Sequence, residues 1–144
     1  MKNVHQLLGV KGADIWAIEP DATVYQALTL LAEKNIGALP VVQEQKLVGI
    51  FSERDYARKV ILKGRHSKET RIREIMTGAP ICVTPQKTVE ECMSLMTDNH
   101  VRHLPVVEGD RLLGIISIGD VVKEIMEDQQ GTISHLENFI TGRR

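Results

Sequence analysis

Two short stretches each hold a serine and an aspartate three residues apart: Ser52 and Asp55 in GIFSERD, residues 49–55, and Ser117 and Asp120 in GIISIGD, residues 114–120. Each follows an apolar, β-branched run and precedes a helix-forming segment, which sets the pair at a strand-to-helix junction. Two chemistries suit that place. Ser-x-x-Asp is a helix-capping pattern, the serine oxygen accepting a backbone N–H while the acid sits in the positive first turn. A capping box favours the longer Glu or Gln, however, and both copies choose Asp, which predicts carboxylates left over for another partner. Free N–H groups at a helix start form a ready anion site, and a short carboxylate beside them can accept from both hydroxyls of a ribose. The pattern therefore reads as a nucleotide grip as well as a cap.

Two such grips need two copies of one scaffold, and the chain carries them. Pro20 and Pro85, Thr23 and Thr88, Pro40 and Pro105, Gly49 and Gly114, and Asp55 and Asp120 are each 65 apart; between windows 20–55 and 85–120, 13 of 36 positions are identical. Shared composition does not produce that without a gap, so the halves are copies of one structural unit. In each, a short strand (Ile15–Ile18, Ile81–Val83) is closed by a proline. A capped helix follows: Thr23 with Gln26 and Thr88 with Glu91 have capping-box spacing, with Val24, Ala27, Leu28 and Leu31 on one face, and Val89, Cys92, Met93 and Met96 in the second copy. LPVVQEQKLVGIF and LPVVEGDRLLGII then predict hairpins, and a second helix starts at Ser52 or Ser117.

The expected fold is α/β in the α+β sense: two β-α-β-β-α repeats packed with approximate two-fold symmetry. Residues 1–63 form the first repeat with a small leading helix marked by Val4, Leu7 and Leu8. Residues 64–76, opening with the polar GRHSKET, form a linker, 77–128 the second repeat, and 129–144 a trailing amphipathic segment marked by Ile133, Leu136, Phe139 and Ile140. Core packing or a dimer contact explains both flanking pieces better than a membrane role.

The bulk properties exclude several classes. Among 144 residues, 18 basic and 19 acidic side chains leave a formal charge of −1, so no general field draws in nucleic acid or an anionic membrane, and any anion site is local. No apolar run approaches the roughly 20 residues of a membrane span, no signal peptide is evident, and the two cysteines, Cys82 and Cys92, read as small buried hydrophobes. The expectation is a soluble, reduced, cytoplasmic protein.

The doubled pattern of a capped helix, LPVV, a hairpin, GIFSERD or GIISIGD and a closing helix resembles a tandem of cystathionine-β-synthase (CBS) domains, a Bateman module, over roughly residues 10 to 128. It is most similar to stand-alone bacterial CBS pairs. The resemblance implies an adenosine-containing ligand (AMP, ADP, ATP, NAD or S-adenosylmethionine) in clefts between the halves. It implies that Asp55 and Asp120 hold ribose hydroxyls, with Ser52 and Ser117 near ribose or phosphate. It further pairs Asp55 with Thr77, Ile81, Val101, Arg102 and His103, and Asp120 with Trp16, Ile36 and Ala38. The second half has Arg102 and His103 where the first has Gly37 and Ala38, and Arg54 answers to Gly119. That asymmetry implies tight phosphate binding in the Asp55 cleft and, in the Asp120 cleft, weaker occupancy, none, or the other end of a dinucleotide. Alone, Arg54 and Arg102 read equally well as solvated charges. Family members usually form homodimers, and a regulated protein of unknown identity is implied.

Other constellations are weaker. His100 and His103 with a cysteine lack the spacing of a zinc site, and His103 has no catalytic partner in sight. ERDYARK and the terminal GRR are basic fragments, but aromatic residues make up 3% of the chain, too few to interleave as a single-strand binder requires. No Walker or dinucleotide glycine loop is present. The expected function is a non-enzymatic sensor that signals occupancy by a change of shape or assembly; the alternative is a ligand-independent interaction module.

Overall fold

The computed structural model of the protein describes residues 2–11 and 14–141. The terminal GRR, residues 142–144, and the Phe139 side chain lie outside that description. In chain order the elements are α1 (Val4–Lys11), α2 (Val24–Lys34), β1 (Ala38–Gln43), β2 (Lys46–Ser52), α3 (Glu53–Lys59), a 3-10 turn (Ile61–Lys63), α4 (Ile72–Ile75), β3 (Thr77–Gly78), α5 (Val89–Asn99), β4 (His103–Glu108), β5 (Arg111–Ser117) and α6 (Ile118–Thr141). The closing helix and the trailing amphipathic segment are thus one helix of 24 residues.

The repeat is visible bond for bond. Thr23 and Thr88 cap α2 and α5 through capping boxes with Gln26 and Glu91. Both helices end in a left-handed residue, Asn35 at φ 53° and His100 at φ 54°. The hairpins share one register, Ala38 opposite Ser52 and His103 opposite Ser117, and each bulges at the same place, between Val41 and Val42 and between Val106 and Val107. The strands run in the order β1-β2-β5-β4, with β3 also on β2.

The two leading strands are shorter than the sequence predicts. Each reduces to a single parallel bridge, Ile18 to Val41 and Val83 to Val106. The cause is proline. Around the Ile18 bridge, the next rungs would need N–H groups from Pro20 and Pro40, and around Val83 from Pro85 and Pro105, and none of these residues has one.

The predicted apolar faces of α2 and α5 point into two cores. Val24, Ala27 and Leu31 pack with Leu39, Val41 and Phe51; Val89, Cys92 and Met96 pack with Leu104, Val106 and Ile116. Burying each larger side chain contributes about 1.5–3 kcal/mol before entropy is counted. The cores are completed reciprocally. In sequence α1 leads into the first repeat, yet Val4 and Leu7 are buried in the second core; α4 leads into the second repeat, yet Ile72 and Ile75 are buried in the first. Backbone bonds fix both crossings, Val4 N–H to the Lys87 carbonyl and Ile72 N–H to the Ala22 carbonyl. Among the described residues no helix is long and apolar enough to cross a membrane.

Candidate functional site

At the junction of β2 and α3, Ser52 is extended, at φ −128° and ψ 164°. That conformation turns its N–H back over the first helical turn. Asp55 Oδ2 accepts the Ser52 N–H at 2.9 Å and the Ser52 hydroxyl at 3.1 Å, while Ser52 Oγ accepts the Asp55 N–H at 3.2 Å. Ser117 and Asp120 repeat the exchange, at 2.8 and 3.1 Å. The capping reading of Ser-x-x-Asp therefore holds in both copies, with aspartate in the place that usually favours the longer Glu or Gln. The expected row of free N–H groups is also reduced, because the Glu53 N–H bonds the Gly37 carbonyl and the Ile118 N–H the Arg102 carbonyl. Charge for an anion has to come from side chains.

Capping uses only one oxygen of Asp55. The other, Oδ1, faces Lys59 Nζ at 3.1 Å and the Thr77 hydroxyl at 3.5 Å, and Lys59 also donates to the Ile75 carbonyl at 3.1 Å. Asp55 is mostly buried here, with 12% of its side chain exposed against 43% for Lys59.

Around this carboxylate opens a cleft of about 780 Å³ that draws on both repeats. Ser52, Arg54 and Asp55 line it from the first, and Thr77, Ile81, Val101, Arg102 and His103 from the second, so all eight residues paired on the sequence share one cavity. Arg54 reaches across to donate to the His100 carbonyl at 3.0 Å. The His103 ring lies against Gly37, where an added Cβ would stand in ordinary contact 3.5 Å from it. Ala79, at φ 46°, turns the chain into Pro80 on the cleft wall, a left-handed conformation that alanine adopts at a cost of about 1–2 kcal/mol.

Arg58 and Lys59 also line the cleft and were missed. Their spacing was the signal, since one helical turn beyond Asp55 brings Lys59 back to its face. Neither the Arg58 nor the Arg102 guanidinium has a hydrogen-bond or ion-pair partner among the described residues.

The residues assigned to the other cleft are placed less completely. Trp16 is partly exposed, with the Lys34 ammonium 4.0 Å above its ring. Ile36 packs on the first core, and Ala38 is buried opposite Ser52. Gly119 is exposed beside the Ser117–Asp120 cap. Gly12 and Ala13, which answer to Thr77 and Gly78, lie outside the described residues. Where the first repeat has Lys59 the second has Glu124, which is buried and paired with Lys2 at 2.9 Å. The hydrogen bond and charge of Glu124 hold the Lys2 ammonium above its ordinary 10.5.

A more open groove of about 550 Å³ between the two hairpin ends, lined by Gln45, Lys46 and Arg111 among others, holds none of the predicted site residues. No group of three or more His, Cys, Asp or Glu among the described residues could hold a metal ion.

Residues 10–62 and 72–127 match the CBS domain family, one match for each repeat. The chain belongs to that family. The CBS pair is 42% identical over 136 residues to the CBS domain-containing protein CBSX3, mitochondrial, of Arabidopsis thaliana, covering 91% of this chain and 66% of that one, so it spans about two thirds of that relative's length. A protein with CBS domains from Burkholderia ambifaria superposes with a TM-score of 0.84 at 48% identity, over 89% of this chain and 96% of that one. The CBS domain pair of protein MJ0100, solved in complex with 5′-methylthioadenosine and S-adenosyl-L-methionine, superposes with a TM-score of 0.78 at 25% identity, over 89% and 98%.

Proposed function

We propose that this CBS pair is a regulatory, non-catalytic module that binds an adenosine-containing nucleotide in the Asp55 cleft and signals occupancy through the packing of its two repeats. One observation carries the reading: a mostly buried carboxylate from the first repeat and unpaired guanidinium groups from both repeats face one cavity, Asp55 with Arg58 and Arg102. Asp55 takes the ribose diol, Ile81 and Val101 flank the base, and Arg102, His103 and Arg54 face phosphate. The adenosine ligands of the MJ0100 pair support the nucleoside part. Ser117, Gly119 and Asp120 with Trp16, Ile36 and Ala38 form a second, weaker site. A ligand that spans both halves shifts their packing by its differential affinity for the two arrangements.

Thermal-shift titration with AMP, ADP, ATP, NAD and S-adenosylmethionine tests this. A true ligand at 100 times its Kd adds about 2.7 kcal/mol of stability. No shift with any of the five would favour a ligand-independent interaction module instead.

The module acts as a homodimer. Val122, Met126, Ile133, Leu136 and Ile140 are exposed on α6 at spacings of three, four and seven residues, an apolar stripe suited to a second helix. Light scattering at micromolar concentration should give twice 16.1 kDa; a monomer would rule the dimer out.

A further inference from the structure

Asp55 Oδ1 is the carboxylate oxygen left for a ribose, and Lys59 already sits on it at 3.1 Å. The same ammonium holds the Ile75 carbonyl at 3.1 Å and stands 3.5 Å from the Thr77 hydroxyl. It therefore ties α3 of the first repeat to the segment that opens the second. We propose that Lys59 is a two-position cation: without ligand it bridges Asp55 to residues 75–77, and a phosphorylated nucleoside draws it onto the phosphate, freeing Asp55 for the ribose. The inference rests on the nucleotide reading of the cleft and names the residue that tells a nucleotide from a nucleoside there.

The energetics permit the exchange. Lys59 is nearly half exposed, and an ion pair of that kind contributes only about 0–1 kcal/mol. A phosphate monoester carries about −1.5 to −2 charges and three acceptor oxygens, more than the carboxylate that Lys59 gives up. Arg58 and Arg102 hold no competing partner, so they bring the phosphate into the cavity Lys59 already lines. Adenosine offers no such exchange, and its ribose must share Oδ1 with the lysine.

Departure of Lys59 also releases Thr77 and the Ile75 carbonyl. Thr77 begins β3, which is held to β2 by two residue pairs, Gly49 with Gly78 and Ile50 with Thr77. Phosphate occupancy thereby reaches the strand that connects the repeats, which nucleoside occupancy does not.

Calorimetric titration of AMP and adenosine into the wild type, Lys59→Met and Lys59→Arg decides the point. In Lys59→Met the affinity for AMP should fall about ten- to a hundredfold while adenosine binds as well or better, and Lys59→Arg should restore the preference. Equal loss for both ligands, or an undiminished preference for AMP in Lys59→Met, would overturn the proposal while leaving the nucleotide site standing. A wild type that binds neither ligand overturns both. Should Lys59→Met fail to fold, the Lys59 Cε resonance of the wild-type protein serves instead: it should shift much further with AMP than with adenosine, and a shift equal for the two would count against the exchange.

Discussion

Arg54 and His100 belong to different repeats, and the Arg54 guanidinium donates to the His100 carbonyl at 3.0 Å. His100 is the left-handed cap of α5, so one bond closes a helix end and joins the two halves at the wall of the cleft. Arg54→Leu should lower stability by about 0.5–1.5 kcal/mol, as for a partly exposed hydrogen bond. Urea unfolding measures it; an unchanged midpoint would show that the bond has no net weight.

Asp55→Asn separates capping from ligand binding. Asparagine keeps a side-chain oxygen for the Ser52 N–H and gives up an ion pair with the half-exposed Lys59, so the substitution should cost the free protein about 1 kcal/mol or less. A ribose diol held by the neutral amide loses a charge-assisted pair of hydrogen bonds, and nucleotide affinity should drop about ten- to a hundredfold. Titration of AMP that returned wild-type affinity would remove Asp55 from the site.

Gly49 and Gly114 occupy the same place in the two repeats but face different neighbours. A Cβ on Gly49 would stand 2.7 Å from Met76 Sδ and 2.9 Å from the Thr77 carbonyl oxygen, whereas on Gly114 it would meet a Leu8 methyl at 2.9 Å. A methyl at the end of a side chain can turn away, and a backbone carbonyl cannot. Gly49→Ala should therefore cost about 1–3 kcal/mol and Gly114→Ala clearly less. Parallel thermal melts compare them, and the reverse order would refute the packing described for β3.

Cys92 is fully buried, and desolvation pushes its thiol from 9.0 up to about 11. Since the folded protein favours the neutral form, the corresponding stability is complete below about pH 9 and is lost as the pH rises towards 11. Cys82 is only half-buried, its sulfur 3.3 Å from the Pro80 carbonyl oxygen. Maleimide at pH 8 should label Cys82 first and Cys92 only after unfolding. Equal labelling of the native protein would contradict this.

Much of this architecture could be read from residue spacing, because an ungapped offset of 65 forces two copies of one unit, and capping residues, LPVV and the Ser-x-x-Asp pairs mark where each element turns. The Asp55 partners were not readable from spacing alone: they came from the resemblance to CBS pairs, in which one repeat supplies the ribose carboxylate and the other the walls of the cleft. Lys59 was hidden because a lysine on a short helix has the same local signature whether it is solvated or ion-paired. The role of α4 was hidden too. Ile72 and Ile75 stand in a stretch read as linker, and periodicity over four residues carries no helical signal. The extent of the leading strands failed on proline chemistry that was in view, since Pro20, Pro40, Pro85 and Pro105 each delete the rung that would have lengthened them.

The crossing of α1 and α4 fixes an order of events during synthesis. Val4 and Leu7 leave the ribosome ahead of both repeats, yet the surface that covers them, around Val89, Val106 and Val121, is made more than eighty residues later. The first repeat is supplied with its own cover sooner, since Ile72 and Ile75 follow directly behind it. The first half therefore has its cover at hand while α1 waits unclaimed for the second half to be made. A nascent chain with only its residues up to about 80 clear of the ribosome would carry a covered first core and an exposed apolar α1, the state in which a chaperone has most to hold.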